Sequence, residues 1–157
     1  MAIFFDVSEI YQFAINIEEN GEKFYRKVSS KLREPKIKEI FSFLADEEGE
    51  HKKTFEKLLE DIKNYEPVET YPGEYFAYLK AYSQELIFPQ MIERELDKSI
   101  TPIDAINFGI RRELESILYY IEVKNFVQET QHSQLDKIIE QERQHFIKLS
   151  NLKKEMK

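Results

Sequence analysis

The 157-residue chain contains no cysteine and no tryptophan, only four glycines and five prolines, and no long apolar run. Without cysteine, disulfides, zinc ribbons, thiolate-bound iron and cysteine nucleophiles are excluded together. So few glycines exclude a collagen-like or low-complexity chain. No stretch approaches the roughly 18 apolar residues that a membrane span needs. The opening Met1-Ala2-Ile3-Phe4-Phe5-Asp6 has no basic region and too short an apolar run for a signal peptide, so the expected location is the cytoplasm. Positive charge is also scarce. The 23 basic side chains face 30 acidic ones, leaving −7, which argues against a nucleic-acid partner.

What is present is helical. Hydrophobic residues are 41% of the chain, enough for a core, and 24 of the 30 acids are Glu, a helix former, where Asp would favour caps and turns. The length suits one domain, residues 1–157. Apolar residues recur with helical period almost everywhere, and no stretch alternates as a strand would. A first helix is predicted from about Asp6 to Lys31, opened by an Asp6/Glu9 capping box and carrying Ile10, Phe13, Ile17, Phe24 and Val28. Pro35 suits the first turn of a second helix ending near Lys63. Pro67, Pro72 and Gly73 mark a loop, and a short helix is predicted from about Tyr75 to Phe88. Thr101-Pro102-Ile103-Asp104 then starts a third long helix to about Phe126. A polar break at 128–131 precedes a fourth, with Leu135, Ile138, Ile139, Phe146 and Leu149 on its apolar face. The plan is all-α: two helical hairpins joined by a long crossover.

An internal repeat runs through this plan. Ile17-Glu18-x-x-Gly21-x-x-Phe24-Tyr25 matches Arg112-Glu113-x-x-Ser116-x-x-Tyr119-Tyr120 at an offset of 95. Leu44-Ala45-x-x-Glu48-x-x-His51 matches Ile138-Ile139-x-x-Glu142-x-x-His145 at an offset of 94. Each hairpin therefore offers one Glu on its first helix and Glu-x-x-His on its second. Residues three apart share a helix face, so Glu48 with His51, and Glu142 with His145, can grip one ion from one side. Glu18 and Glu48 straddle the first turn, and Glu113 and Glu142 the second, so each pair falls at one level of its hairpin. Packing the hairpins together collects four Glu and two His, a set suited to two metal ions. Four carboxylates carry a charge that two divalent ions cancel, and oxygen with imidazole ligands suits iron or manganese. Glu19, Glu22, Glu47 and Glu50 fall out of phase with the repeated positions and read as surface charges. His132 lacks a repeat partner and reads as a turn or surface residue. Tyr25 and Tyr120 lie seven residues after Glu18 and Glu113, where a hydroxyl can support a ligating carboxylate or the ring can simply fill the core.

These residues, Glu18, Glu48-x-x-His51, Glu113, Glu142-x-x-His145, Tyr25 and Tyr120, resemble the rubrerythrin branch of the ferritin-like di-iron family over most of the chain. The resemblance implies a ferritin-like four-helix bundle and a carboxylate-bridged pair of iron ions, with Glu48 and Glu142 bridging and Glu18 and Glu113 terminal. It also implies reduction of peroxide or dioxygen, usually in a homodimer. Two departures stand out. Rubrerythrins proper carry a Cys-ligated rubredoxin iron, so here the electron donor, such as a rubredoxin-like protein, must be external. The family also commonly has a mobile Glu three residues after the third-helix ligand, and Ser116 occupies that place. The alternative expectation is an iron-handling protein that oxidises ferrous ions and passes them on.

Overall fold

The computed structural model describes residues 7–62, 77–79, 81–82 and 100–156. Four long helices dominate: α1 (Val7–Lys31), α2 (Pro35–Asp61), α3 (Pro102–Val123) and α4 (His132–Glu155), with a 3-10 turn at Glu129–Gln131. No strand occurs among the described residues. No helix among them is long and apolar enough to cross a membrane.

The helix starts follow local chemistry. The Thr101 hydroxyl accepts from the Asp104 backbone N–H at 3.2 Å and donates to its carboxylate at 2.7 Å, with Pro102 in the first turn. That arrangement satisfies an otherwise orphaned amide and places an acid at the positive helix end. Pro35 opens α2 after an extended Glu34, so the α1–α2 connection takes three residues and the chain must reverse. The Asp6 half of the first capping box and Lys63 lie outside the described residues. So does most of the Tyr75–Phe88 segment, of which 77–79 and 81–82 are helical. The third helix stops at Val123, three residues before Phe126, where Lys124 caps it.

In α2 the buried residues Ile37, Phe41, Leu44, Glu48, His51, Phe55 and Leu58 alternate steps of four and three, with Ala45 buried beside Leu44. Leu135, Ile138, Glu142, His145, Leu149 and Leu152 do the same in α4. This is the spacing of a helix that keeps one seam on its neighbours, and the Glu-x-x-His pairs occupy seam positions. In α1 the seam is Tyr11, Ala14, Glu18, Gly21, Tyr25 and Val28, while Phe13 lies at its edge. α1 packs chiefly on α2 and α3 chiefly on α4, with further contacts between α1 and α3 and between α2 and α4.

Two apolar clusters fill the bundle. One gathers Ile10, Tyr11, Phe55, Tyr119, Tyr120 and Ile138; the other gathers Phe24, Tyr25, Phe41, Leu44, Ile106 and Leu149. Along every helix the polar seam residues fall between the two. Apolar burial on both sides thus holds a layer of carboxylates and imidazoles inside the protein, where charge alone would draw them to water.

Candidate metal centre

Glu18, Glu48, His51, Glu113, Glu142 and His145 are all buried, none more than 3% exposed. They form two groups whose ligand atoms lie within 4.8 Å of one another: Glu18, Glu48, His51 and Glu142, and Glu48, Glu113, Glu142 and His145. Glu48 and Glu142 belong to both. The two imidazoles face each other from α2 and α4, stacked with centroids 5.6 Å apart. By contrast, Glu19, Glu22 and Glu50 reach water and pair with surface Lys and Arg, and Glu47 is half-buried. His132 is half-buried at the start of α4, with Nε2 3.3 Å from the Val127 carbonyl oxygen.

The layer is electrostatically unfinished. One oxygen on each of Glu18, Glu48, Glu113 and Glu142, and Nδ1 of His145, are buried without a hydrogen-bond partner. Such atoms are costly in a low-dielectric interior, and a bound cation satisfies them. His51 Nδ1 lies 2.9 Å from Glu142 and 3.6 Å from Glu18. Burial opposes its charged form, but these two carboxylates prevail and push its pKa up to about 12. Glu113 is pushed up to about 8, by burial first and then by Glu142, with His145 opposing. Without metal, the layer therefore holds protons that a metal would displace.

Both tyrosines are fully buried and both hydroxyls reach ligand carboxylates, each across to the other hairpin. Tyr25 Oη donates to Glu113 at 2.5 Å, and Tyr120 Oη donates to Glu18. Burial, with Glu113 and Glu18 respectively adding to it, holds both phenols protonated far above their ordinary range.

Two residues escaped the sequence reading. Gln141 Oε1 accepts from His51 Nε2 at 2.9 Å, leaving Nδ1 to face the carboxylates. This fixes the tautomer a metal ligand needs. Arg112 is buried, donates to the Ile17 carbonyl at 3.2 Å, and lies with its guanidinium 5.9 Å from the Tyr25 ring centre. A Cβ added at Gly21 would fall 2.2 Å from Arg112 Nη2, so the guanidinium fills the gap that Gly21 leaves. The signal was in the repeat itself: Arg112 replaces Ile17, and Gly21 replaces Ser116. Two departures from the repeat compensate each other in space. Ser116 itself is buried on α3.

One ligand borders a surface cleft. A cleft of about 530 Å³ between α2 and α4 reaches His51, flanked by Glu50, Lys57, Lys137 and Gln141.

A family model described as rubrerythrin matches residues 9–153. Among solved structures, the chain is similar to a candidate ferritin-like diiron-carboxylate protein from Thermotoga maritima, with 30% sequence identity, 98% of each chain covered and a TM-score of 0.71. No curated protein matches.

Proposed function

The chain belongs to the rubrerythrin family, and from that premise we propose that its buried layer binds two iron ions and reduces hydrogen peroxide, or dioxygen, with electrons from an external donor. The observation that carries this reading is the pair of four-residue groups sharing Glu48 and Glu142. One ion would draw on Glu18 and His51, the other on Glu113 and His145, with the shared carboxylates between them. Two divalent ions cancel four carboxylate charges and satisfy the unpartnered atoms. Manganese fits the same donors. When bound, the metal pair supplies two electrons and polarises the O–O bond.

The chain's own residues do the rest. Tyr25 and Tyr120 hold the terminal carboxylates, Gln141 holds the His51 ring, and the cleft beside His51 admits a small oxidant. The absence of cysteine requires a separate donor, for which a rubredoxin-like protein is the proposal. The reading also takes the protein to be a cytoplasmic homodimer. The row Leu114, Leu118 and Ile121, exposed among the described residues, offers an apolar face for the second copy.

Metal analysis of anaerobically purified protein, followed by stopped-flow oxidation of the ferrous form, tests the proposal. Peroxide should react faster than dioxygen, and turnover should become sustained when a rubredoxin-like donor is added. A preference for dioxygen, with a mineral core growing inside a large cage, would replace this reading with iron handling. One zinc ion and no second metal would exclude both.

A further inference from the structure

The two carboxylate-bound tyrosines differ in what surrounds their rings. Tyr25 packs against Phe24 at 5.3 Å and Phe41 at 5.7 Å between centroids. Tyr120 also touches a phenylalanine, Phe55, but its other ring neighbour among the described residues is Tyr119 at 5.9 Å. Tyr119 is stacked on Tyr82, 5.9 Å away and 7° from parallel, and Tyr82 lies 6.1 Å from Tyr78. Tyr78 is 53% exposed. A continuous file of four phenols thus runs from the Glu18 carboxylate to the surface, while the other tyrosine is walled by rings that are much harder to oxidise.

We propose that Tyr120, Tyr119, Tyr82 and Tyr78 form a one-electron relay that carries an oxidising equivalent from the centre to an external reductant at Tyr78. The inference rests on the reading of the layer as a metal centre that meets peroxide. Reducing one hydrogen peroxide to two waters takes two electrons and two protons. When only one of those electrons is available at the centre, Tyr120 supplies the other. Its O–H bond breaks, the proton passes to Glu18 along the existing hydrogen bond, and a neutral phenoxyl remains. An electron from Tyr119 then refills Tyr120, whose proton returns from Glu18; Tyr119 and then Tyr82 carry the deficit with their O–H bonds intact, as short-lived radical cations, and it passes outward to Tyr78. There the phenol proton goes to water, and a one-electron reductant with a proton from solvent restores the residue.

Hydrogen bonding decides where the deficit rests. Tyr119 and Tyr82 donate to the backbone carbonyls of Ile10 and Glu115, which cannot take a proton. The middle rings therefore pass the deficit on. Tyr120 has a carboxylate that can take its proton, and Tyr78 lies exposed at the surface, so the radical rests at the two ends.

Two measurements test the relay, and the first needs no metal. Photo-oxidation of the metal-free protein by ruthenium tris-bipyridine and persulfate, followed by freezing and electron paramagnetic resonance, should show a buried-tyrosyl component that is lost in Tyr120→Phe. That component should be lost equally in Tyr119→Phe and in Tyr82→Phe, which cut the path while leaving Tyr120 intact. Its survival in both variants, or its absence from the wild type, would overturn the relay. In the second, the ferrous protein receives excess peroxide without reductant, and peroxide consumption is read in the same samples. The radical should appear at Tyr120 and Tyr78, with the Tyr78 signal lost in Tyr119→Phe and quenched in the wild type by ascorbate. A radical at Tyr25 instead would also overturn it. If peroxide is not consumed, the peroxide-reducing reading fails, and the metal-free measurement still decides whether the relay exists.

Discussion

The two halves of the centre carry the same repeated ligands, yet the structure surrounds them with different neighbours. His51 binds Gln141 and borders a cleft, whereas the ring of His145 meets Phe43 edge-on, with the Lys148 ammonium over the phenylalanine ring. The repeat partner of Phe43 is Lys137, which lines the cleft. A single exchange of a ring for a flexible charge thus gives two equally buried imidazoles different neighbours. The Glu113 half also carries the buried guanidinium of Arg112 and a tyrosine walled by phenylalanine, where the Glu18 half has a file of phenols. The ligands repeat, while the residues around them give the halves different neighbours and different redox surroundings.

The comparison breaks most severely if the halves do not share ligands. Glu48→Ala or Glu142→Ala should lower metal content from about two ions per chain to none, because each carboxylate serves both groups. His51→Ala and His145→Ala should each leave about one ion. The wild type should gain about 2.7 kcal/mol of stability at free metal a hundredfold above its Kd, and the Glu142 variant none of it. Elemental analysis and thermal melts read both effects. One ion retained in Glu142→Ala would mean that the halves are independent sites.

Gly21 and Arg112 sharpen the comparison at the Glu113 half. Gly→Ala within an open helix gains about 1 kcal/mol. At Gly21 the new methyl would meet the guanidinium, and overpacking a buried site costs about 1–3 kcal/mol. Urea unfolding should therefore show Gly21→Ala to be neutral or destabilising in the wild type, and stabilising in an Arg112→Leu background. The same sign in both backgrounds would show that the two departures from the repeat do not compensate each other.

The protonated layer makes a pH prediction for the metal-free protein. Glu113 holds its proton up to about 8 against an ordinary 4.5, and His51 up to about 12 against 6.5. The folded form thus binds more protons than the unfolded one across both windows. Each contribution is complete below the unfolded value and is lost as pH rises through the folded value. Melting temperature without metal should fall from about pH 5 to about pH 9, while metal affinity rises and binding releases protons. Differential scanning calorimetry checks the first and titration calorimetry in two buffers the second. A metal-free melting temperature that climbs over this range would contradict the shifts in both residues.

The ligand set was legible in the sequence because it repeats, and because helical spacing fixes which side chains share a face. Glu18 and Glu113 could be placed at the level of the Glu-x-x-His pairs from their separation and the turns between them. The environment of the halves was not legible in the same way. Gln141 beside His51, and the stacking of Tyr82 on Tyr119, depend on how hairpins approach each other and how Tyr82 meets α3, which no spacing along the chain encodes. Arg112 is intermediate. Its mismatch with Ile17 is visible in the repeat, but only the packed bundle shows the guanidinium in the place of the missing Gly21 side chain.

The smallest expected effect asks whether the halves differ at the ligands or only around them. Tyr25→Phe removes the donor to Glu113, and Tyr120→Phe removes the donor to Glu18; each leaves a ring of nearly the same shape. Loss of a partner that orients a ligating group weakens metal binding by about 10- to 100-fold. The low end is expected, since each carboxylate keeps its place through helix packing. The loss should be equal for the two variants and confined to one ion in each, as read by stepwise ferrous titration. Equal losses would make the tyrosines equivalent as ligand holders and put the asymmetry in their ring neighbours, Phe24 and Phe41 against Tyr119. A loss in the Tyr25 variant alone would instead place it at the Glu113 carboxylate itself.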